Sequence, residues 1–174
     1  MVNSMKEMLS DPYLPWTSHK YVKLCDLANS RVTLFNARRG GEPARLTTSN
    51  WPIWLNQKRI ENTKEPDCSA FRDMTVMYQT GKGNHLVPFL VPAGTMSTLD
   101  KLCDADVCSN CGVLSSNKYL IPSTNNSAKH VYGWLAVHKV AQAAATERPD
   151  LVTTTRVRHQ VSMLYAALAV PPNQ

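Results

Sequence analysis

Apolar side chains recur at helical spacing from Tyr21 through Leu24, Cys25, Ala28 and Val32 to Phe35, with polar residues between them. The spacing predicts an amphipathic helix running towards Arg38. Thr17 or Ser18 caps its start, and Gly40-Gly41 ends it as a C-cap would. Pro12 and Pro15 disfavour continued helix ahead of it, so residues 1–16 read as an N-terminal extension and 17–174 as the folded unit.

Further along, the pattern shortens to β-type runs, Thr75-Val76-Met77-Tyr78 and Leu86-Val87-Pro88-Phe89-Leu90-Val91, separated by Gly81-Lys82-Gly83-Asn84. These predict a hairpin with Lys82 in its turn. Pro88 cannot donate to a ladder, which places the second strand at an edge or at a bulge. Thr95 caps a short helix through Met96, Leu99, Leu102 and Cys103, and a Ser/Asn-rich stretch leads to the strand-like Tyr119-Leu120-Ile121-Pro122. Ser127 then precedes a second long helix carrying Val131, Trp134, Leu135, His138 and Ala141 or Gln142, which Pro149 ends. A last helix follows Thr153-Thr154-Thr155, with Val157, Val161, Leu164 and Leu168 on one apolar face. The expected fold class is mainly α with a small antiparallel β-hairpin, α+β, and the polar stretch from Asn56 to Cys68 reads as a surface insertion.

A chain of 174 residues with 43% apolar content can build one hydrophobic core. It has neither an eighteen-residue apolar run nor a signal-peptide pattern, so an intracellular protein with no membrane partner is expected. A formal charge of +6 favours a polyanionic partner. Five cysteines in such a chain read as reduced thiols. Cys108-Ser109-Asn110-Cys111, with Cys103 before and His130 after, invites a zinc-stabilised reading. No second pair at finger spacing accompanies it, so no metal and no cofactor are expected.

Three further groupings carry candidate chemistry. Arg38-Arg39-Gly40-Gly41-Glu42 sets two guanidinium groups at a helix end beside flexible backbone, where they can meet a phosphate or merely complement the helix dipole. Lys82 between glycines can enter a nucleic-acid groove or serve as a solubilising loop lysine. Arg156-Val157-Arg158-His159 opens the last helix, on which Arg158, Ser162 and Tyr165 share a face; the plainer reading is a solvated helix edge.

Taken in order, these pieces resemble the tyrosine recombinase (phage-integrase) family over roughly Thr17 to Pro171. Arg39-Gly40-Gly41-Glu42 with Leu46-Thr47 matches its first box, Thr80-Gly81-Lys82-Gly83-Asn84 before Leu86-Val87-Pro88 its hairpin turn, and Thr155-Arg156-Val157-Arg158-His159 its second box. The wording from Phe35 to Thr47 also looks like integrase-like proteins of animal genomes, found near mobile elements. The resemblance implies DNA strand breakage and rejoining through a phosphotyrosine, without a metal. In that scheme Arg39 and Arg158 bind the non-bridging oxygens, Lys82 protonates the leaving oxygen and His159 supports the site. Glu42 and Thr155 assist, while Arg38, Arg45 and Arg156 touch DNA.

The sequence departs from the family in two places. Thr155 stands where the second box carries histidine, and a hydroxyl cannot serve as an imidazole acid or base. The family's nucleophilic tyrosine lies on helices beyond the second box, whereas this sequence stops at Gln174, and Tyr165, two turns after Arg158 on one helix, is not a replacement. The expectation is therefore a partial domain, inactive in cleavage by itself, with no nucleophile. Its expected partner is DNA, with self-association allowed and no small-molecule substrate, and its expected location is nuclear. The alternative is a noncatalytic DNA-binding or interaction module derived from a mobile element.

Overall fold

The computed structural model describes residues 1–10, 15–50, 74–80, 85–144 and 147–169. It is mainly helical with one two-stranded antiparallel sheet. Helix α1 (Val2–Ser10) is followed by α2 (Ser18–Phe35), the strands β1 (Met74–Thr80) and β2 (Leu86–Pro92), α3 (Ala93–Leu102), the short α4 (Ala105–Asn110), α5 (Gly133–Ala143) and α6 (Thr154–Ala169). The surface insertion read between Asn56 and Cys68, and Lys82 with the turn around it, lie outside the described residues. None of the described helices is long and apolar enough to cross a membrane.

Helix α2 is the axis of the fold. Thr17 caps it by accepting from the Lys20 N–H at 3.2 Å. Its predicted stripe is buried at Tyr21, Leu24, Cys25, Ala28 and Val32, but Phe35 remains 45% exposed. Residues 1–10, assigned no element from the sequence, form α1 and insert Met5 fully into the same core.

Helix α2 stops at Phe35, earlier than the glycines suggest. The Arg38 N–H bonds the Thr33 carbonyl and the Ala37 N–H the Leu34 carbonyl, the two bonds of a Schellman ending, with Ala37 at φ 48 in the left-handed position usually given to glycine. Asn36 then turns its side chain onto β2. Its Nδ2 donates to the Leu90 carbonyl and its Oδ1 accepts from the Leu90 N–H, at 2.8 and 2.7 Å, so one amide imitates a neighbouring strand. Pro88 lies two residues from Leu90 and its absent N–H faces the same outer edge, which is why β1 and β2 pair without a bulge from Met74↔Pro92 to Thr80↔Leu86. Asn36→Ala leaves the Leu90 N–H and carbonyl without these partners and is expected to cost about 2–3 kcal/mol. Chemical denaturation checks this, and a loss below about 0.5 kcal/mol contradicts it.

Other boundaries also moved. Thr95 does not cap α3, which starts at Ala93 after Pro92; Thr95 is fully buried and accepts from Arg31 Nε at 2.7 Å, tying α2 to α3. Asp104 caps α4 by accepting from the Asp106 and Val107 N–H groups, a start signal present in the sequence and passed over there. Helix α5 begins at Gly133, not after Ser127, because residues 129–131 pair with 121–123 in extended backbone. Its buried face is Gly133, Ala136, Val137 and Ala141, whereas Trp134 is 64% exposed. Small side chains won that face because α2 lies close against it.

The contact between α2 and α5 is partly polar. Asn29 Nδ2 donates to the Gly133 carbonyl at 3.4 Å, and Lys139 pairs with Asp26 at 3.2 Å. Burial nevertheless holds the Asp26 carboxyl above its ordinary range, since desolvation outweighs the pull of Lys139. Helix α6, capped by the Thr153 hydroxyl, keeps Val157 and Val161 half-buried. Leu164 and Leu168, expected on a buried face, are 63% and 81% exposed.

Candidate functional site

Arg38 and Arg39 sit in the corner that leaves α2, and this corner is braced from both sides. Downstream, Pro43–Arg45 forms one 3₁₀ turn, and residues 46–48 run antiparallel to 118–120, with the Leu120 N–H on the Leu46 carbonyl and the Thr48 N–H on the Lys118 carbonyl. That second segment continues into the pairing of 121–123 with 129–131. The chain then enters α5 at Gly133, and Gly133 packs directly on Gly40. A Cβ on Gly40 would stand 2.8 Å from the Gly133 carbonyl carbon and from the Trp134 nitrogen. Gly40 is therefore a point of backbone contact, and the helix cap predicted there is made by Asn36 and Ala37.

Against this corner lies α6. Asn36, Ala37, Arg38, Arg39 and Glu42 on one side and Arg158, Val161, Ser162 and Tyr165 on the other enclose a cleft of about 440 Å³. The residues read from sequence as Arg38, Arg39, Glu42 and Arg158 thus come together from distant parts of the chain, and Arg158, Ser162 and Tyr165 share one helix face as their spacing requires.

Other candidates fall outside the cleft lining. Thr155, Arg156 and His159 are exposed on α6 and Arg45 is exposed at the end of its 3₁₀ turn. Lys82 belongs to the residues not described. Asn36 and Ala37, absent from the sequence reading, line the cleft because the helix ends early.

Three guanidinium groups against one carboxylate give the lining a formal +2. None of the ion pairs Lys101–Asp104, Lys139–Asp26 and Arg148–Asp150 involves a cleft arginine. Arg38 lies over the Phe89 ring, 5.8 Å from its centroid, a contact that steadies the planar head. Glu42 Oε2 is shielded from solvent and has no hydrogen-bond partner among the described residues. Such a site is arranged to hold an anion by charge-assisted hydrogen bonds.

The described cysteines, Cys25, Cys103, Cys108 and Cys111, form a separate cluster at the other end of α2. Tyr21 donates its hydroxyl to the Leu102 carbonyl at 2.9 Å, and the Cys108 thiol reaches the same carbonyl at 3.1 Å. Burial pushes Cys103 up to about 12, and it also raises the Cys25, Cys108 and Cys111 thiols. Among the described residues no three His, Cys, Asp or Glu side chains are grouped to hold a metal ion. His130 turns elsewhere, with Nδ1 2.7 Å from the Val131 carbonyl and its ring edge-on to Tyr119. Thiols held protonated are poor nucleophiles. Native protein at pH 8 is expected to alkylate at these four positions far more slowly than unfolded protein, as read by mass spectrometry. Equal labelling rates contradict this.

Compared with known proteins, the chain matches no family model, no curated protein and no solved structure.

Proposed function

We propose that this protein binds DNA through the arginine cleft and is a tyrosine-recombinase-like domain that does not cleave DNA by itself. The observation that carries the reading is the meeting of Arg39 and Glu42, from the first candidate box, with Arg158, from the second, on opposite walls of one cleft. The order of the boxes in the sequence does not require that meeting, whereas a shared phosphate ligand does. The overall charge of +6 supports the same partner.

Arg39 and Arg158 present planar forks suited to phosphate oxygens, with Arg38 beside them as a third cation. In a recombinase-like mechanism this clamp would stabilise the charge that develops when a phosphodiester is attacked. Cleavage also needs an aligned nucleophile and a proton donor. Tyr165 shares the helix of Arg158, and Thr155, which takes the place of the second-box histidine in the resemblance, is exposed outside the cleft lining. The noncatalytic alternative thus shares the clamp and differs only in chemistry.

One titration tests the reading. Affinity for a random-sequence duplex is expected to fall linearly with salt on a logarithmic scale, with a slope of about −1 or steeper, since the clamp itself neutralises one shared phosphate. A nicked substrate that traps covalent intermediates should give no protein-linked DNA. Binding that ignores salt removes the proposed clamp, and a covalent band lost in Tyr165→Phe removes the noncleaving part of the proposal.

A further inference from the structure

The wall of the arginine cleft formed by α6 carries a hydroxyl that the phosphate clamp does not use. Ser162 is the one serine or threonine in the lining. It lies one helical turn after Arg158, a spacing that sets Cβ atoms about 5–6 Å apart on one face. Arg38 and Arg39 stand on the opposite wall. Ser162 is exposed, as is every residue from there to Leu168, so this half of α6 buries little and opens locally at low cost. An enzyme can therefore reach the hydroxyl. Arg156 and Arg158 precede it in the chain, basic side chains that suit a kinase whose peptide groove is acidic. A phosphoryl group here brings about two negative charges into a lining where three guanidinium groups stand against one carboxylate, a formal +2.

We propose that Ser162 is a phosphorylation site and that its phosphate closes the arginine cleft to DNA. A serine kinase transfers the γ-phosphoryl group of a nucleoside triphosphate. The bond from Ser162 Oγ to that phosphorus forms, and the bond from the phosphorus to the bridging oxygen of the β-phosphate breaks. The nucleoside diphosphate leaves, and the hydroxyl proton passes to the base of the kinase. The new phosphate then takes guanidinium donors from Arg158 on its own helix and from Arg38 and Arg39 across the cleft. Being tethered, it acts at a high effective concentration, against which a DNA phosphate competes poorly. The formal charge of the lining falls to about zero, so the local attraction for a polyanion is lost as well. This switch rests on the DNA-binding reading above and adds the regulation of that same site.

The test uses the full chain with phosphoserine encoded at position 162 and, for comparison, at position 160 in place of Gln160, which is exposed on α6 outside the lining. Both forms carry the same added charge. Affinity for a random-sequence duplex at fixed salt is expected to fall by about tenfold or more in the first form and by less than about threefold in the second. Without DNA, phosphorus NMR should show the phosphate at 162 titrating about half a unit or more below the one at 160, because neighbouring cations favour the dianion. Arg158→Ala should close much of that gap. A serine kinase that prefers arginine before its acceptor, supplied with ATP, is expected to label Ser162, as read by peptide mapping, and Ser162→Ala should remove that label. Equal losses of affinity in the two forms, or coincident phosphorus titrations, overturn the switch and leave the DNA-binding reading standing. Labelling confined to other hydroxyls overturns Ser162 as the acceptor. An unmodified chain that binds no duplex overturns the DNA-binding reading and with it the closure to DNA, while the phosphorus titrations decide separately whether the arginines hold the phosphate.

Discussion

Replacing Arg38, Arg39 and Arg158 together with alanine is expected to weaken DNA binding by about two orders of magnitude at low salt and to flatten the salt slope by about 1. The comparison protein carries alanine at Lys6, Lys23 and Lys129, all exposed and none in the cleft lining. Each triple variant lowers the formal charge from +6 by three, to +3, so a purely long-range attraction loses the same amount in both. A converged clamp does not, because a guanidinium that touches a phosphate displaces a condensed counterion and forms charge-assisted bonds, whereas a distant lysine only adds to a screened field. Equal losses in the two variants would show that the charge acts diffusely and that the cleft holds no DNA.

Gly133→Ala is expected to cost more than about 3 kcal/mol and to lower the melting temperature by roughly 10 °C, although helix propensity by itself favours alanine by about 1 kcal/mol. The sign is decided by space. A Cβ on Gly133 would stand 1.7 Å from the Gly40 carbonyl oxygen, and the atoms it meets are backbone, held by the pairing of 46–48 with 118–120 and by the end of α2. Gly40→Ala meets Gly133 and Trp134 backbone at 2.8 Å and should be destabilising in the same way. Gly41→Ala is the control: its nearest neighbour is Arg45 Nη1 at 3.3 Å, the end of a side chain that can move. The corner carries Arg38 and Arg39, so Gly133→Ala should also weaken DNA binding in whatever fraction stays folded. A stable Gly133→Ala protein would mean that the two backbones are not in contact.

Both variants probe what the linear sequence leaves open. Periodicity was sufficient for α2, where one residue in three or four is large and apolar and the stripe is buried almost as spaced. It was sufficient too for the hairpin, because β-branched runs around a glycine turn have few alternatives, and for the sharing of one face by Arg158, Ser162 and Tyr165, which follows from 3.6 residues per turn. It misplaced α5, whose buried face is Gly133, Ala136, Val137 and Ala141 while Trp134 points out. Hydrophobicity ranks tryptophan as the better core residue; the close approach of α2 admits only small ones, and that distance belongs to the pair of helices, not to either alone. The end of α2 was misread for a related reason. Gly40 looked like a cap, but Asn36 and Ala37 end the helix, and glycine is required at 40 by a backbone that arrives from residue 133. The sequence by itself determined which side chains carry positive charge and that Arg158 lies on the last helix with Ser162 and Tyr165 on its face. Only the tertiary structure decided that Arg38, Arg39, Glu42 and Arg158 face one cleft while His159, Thr155, Arg156 and Arg45 do not, because convergence depends on the angle at which α6 meets the α2 corner, and that angle is fixed by contacts between segments far apart in the chain.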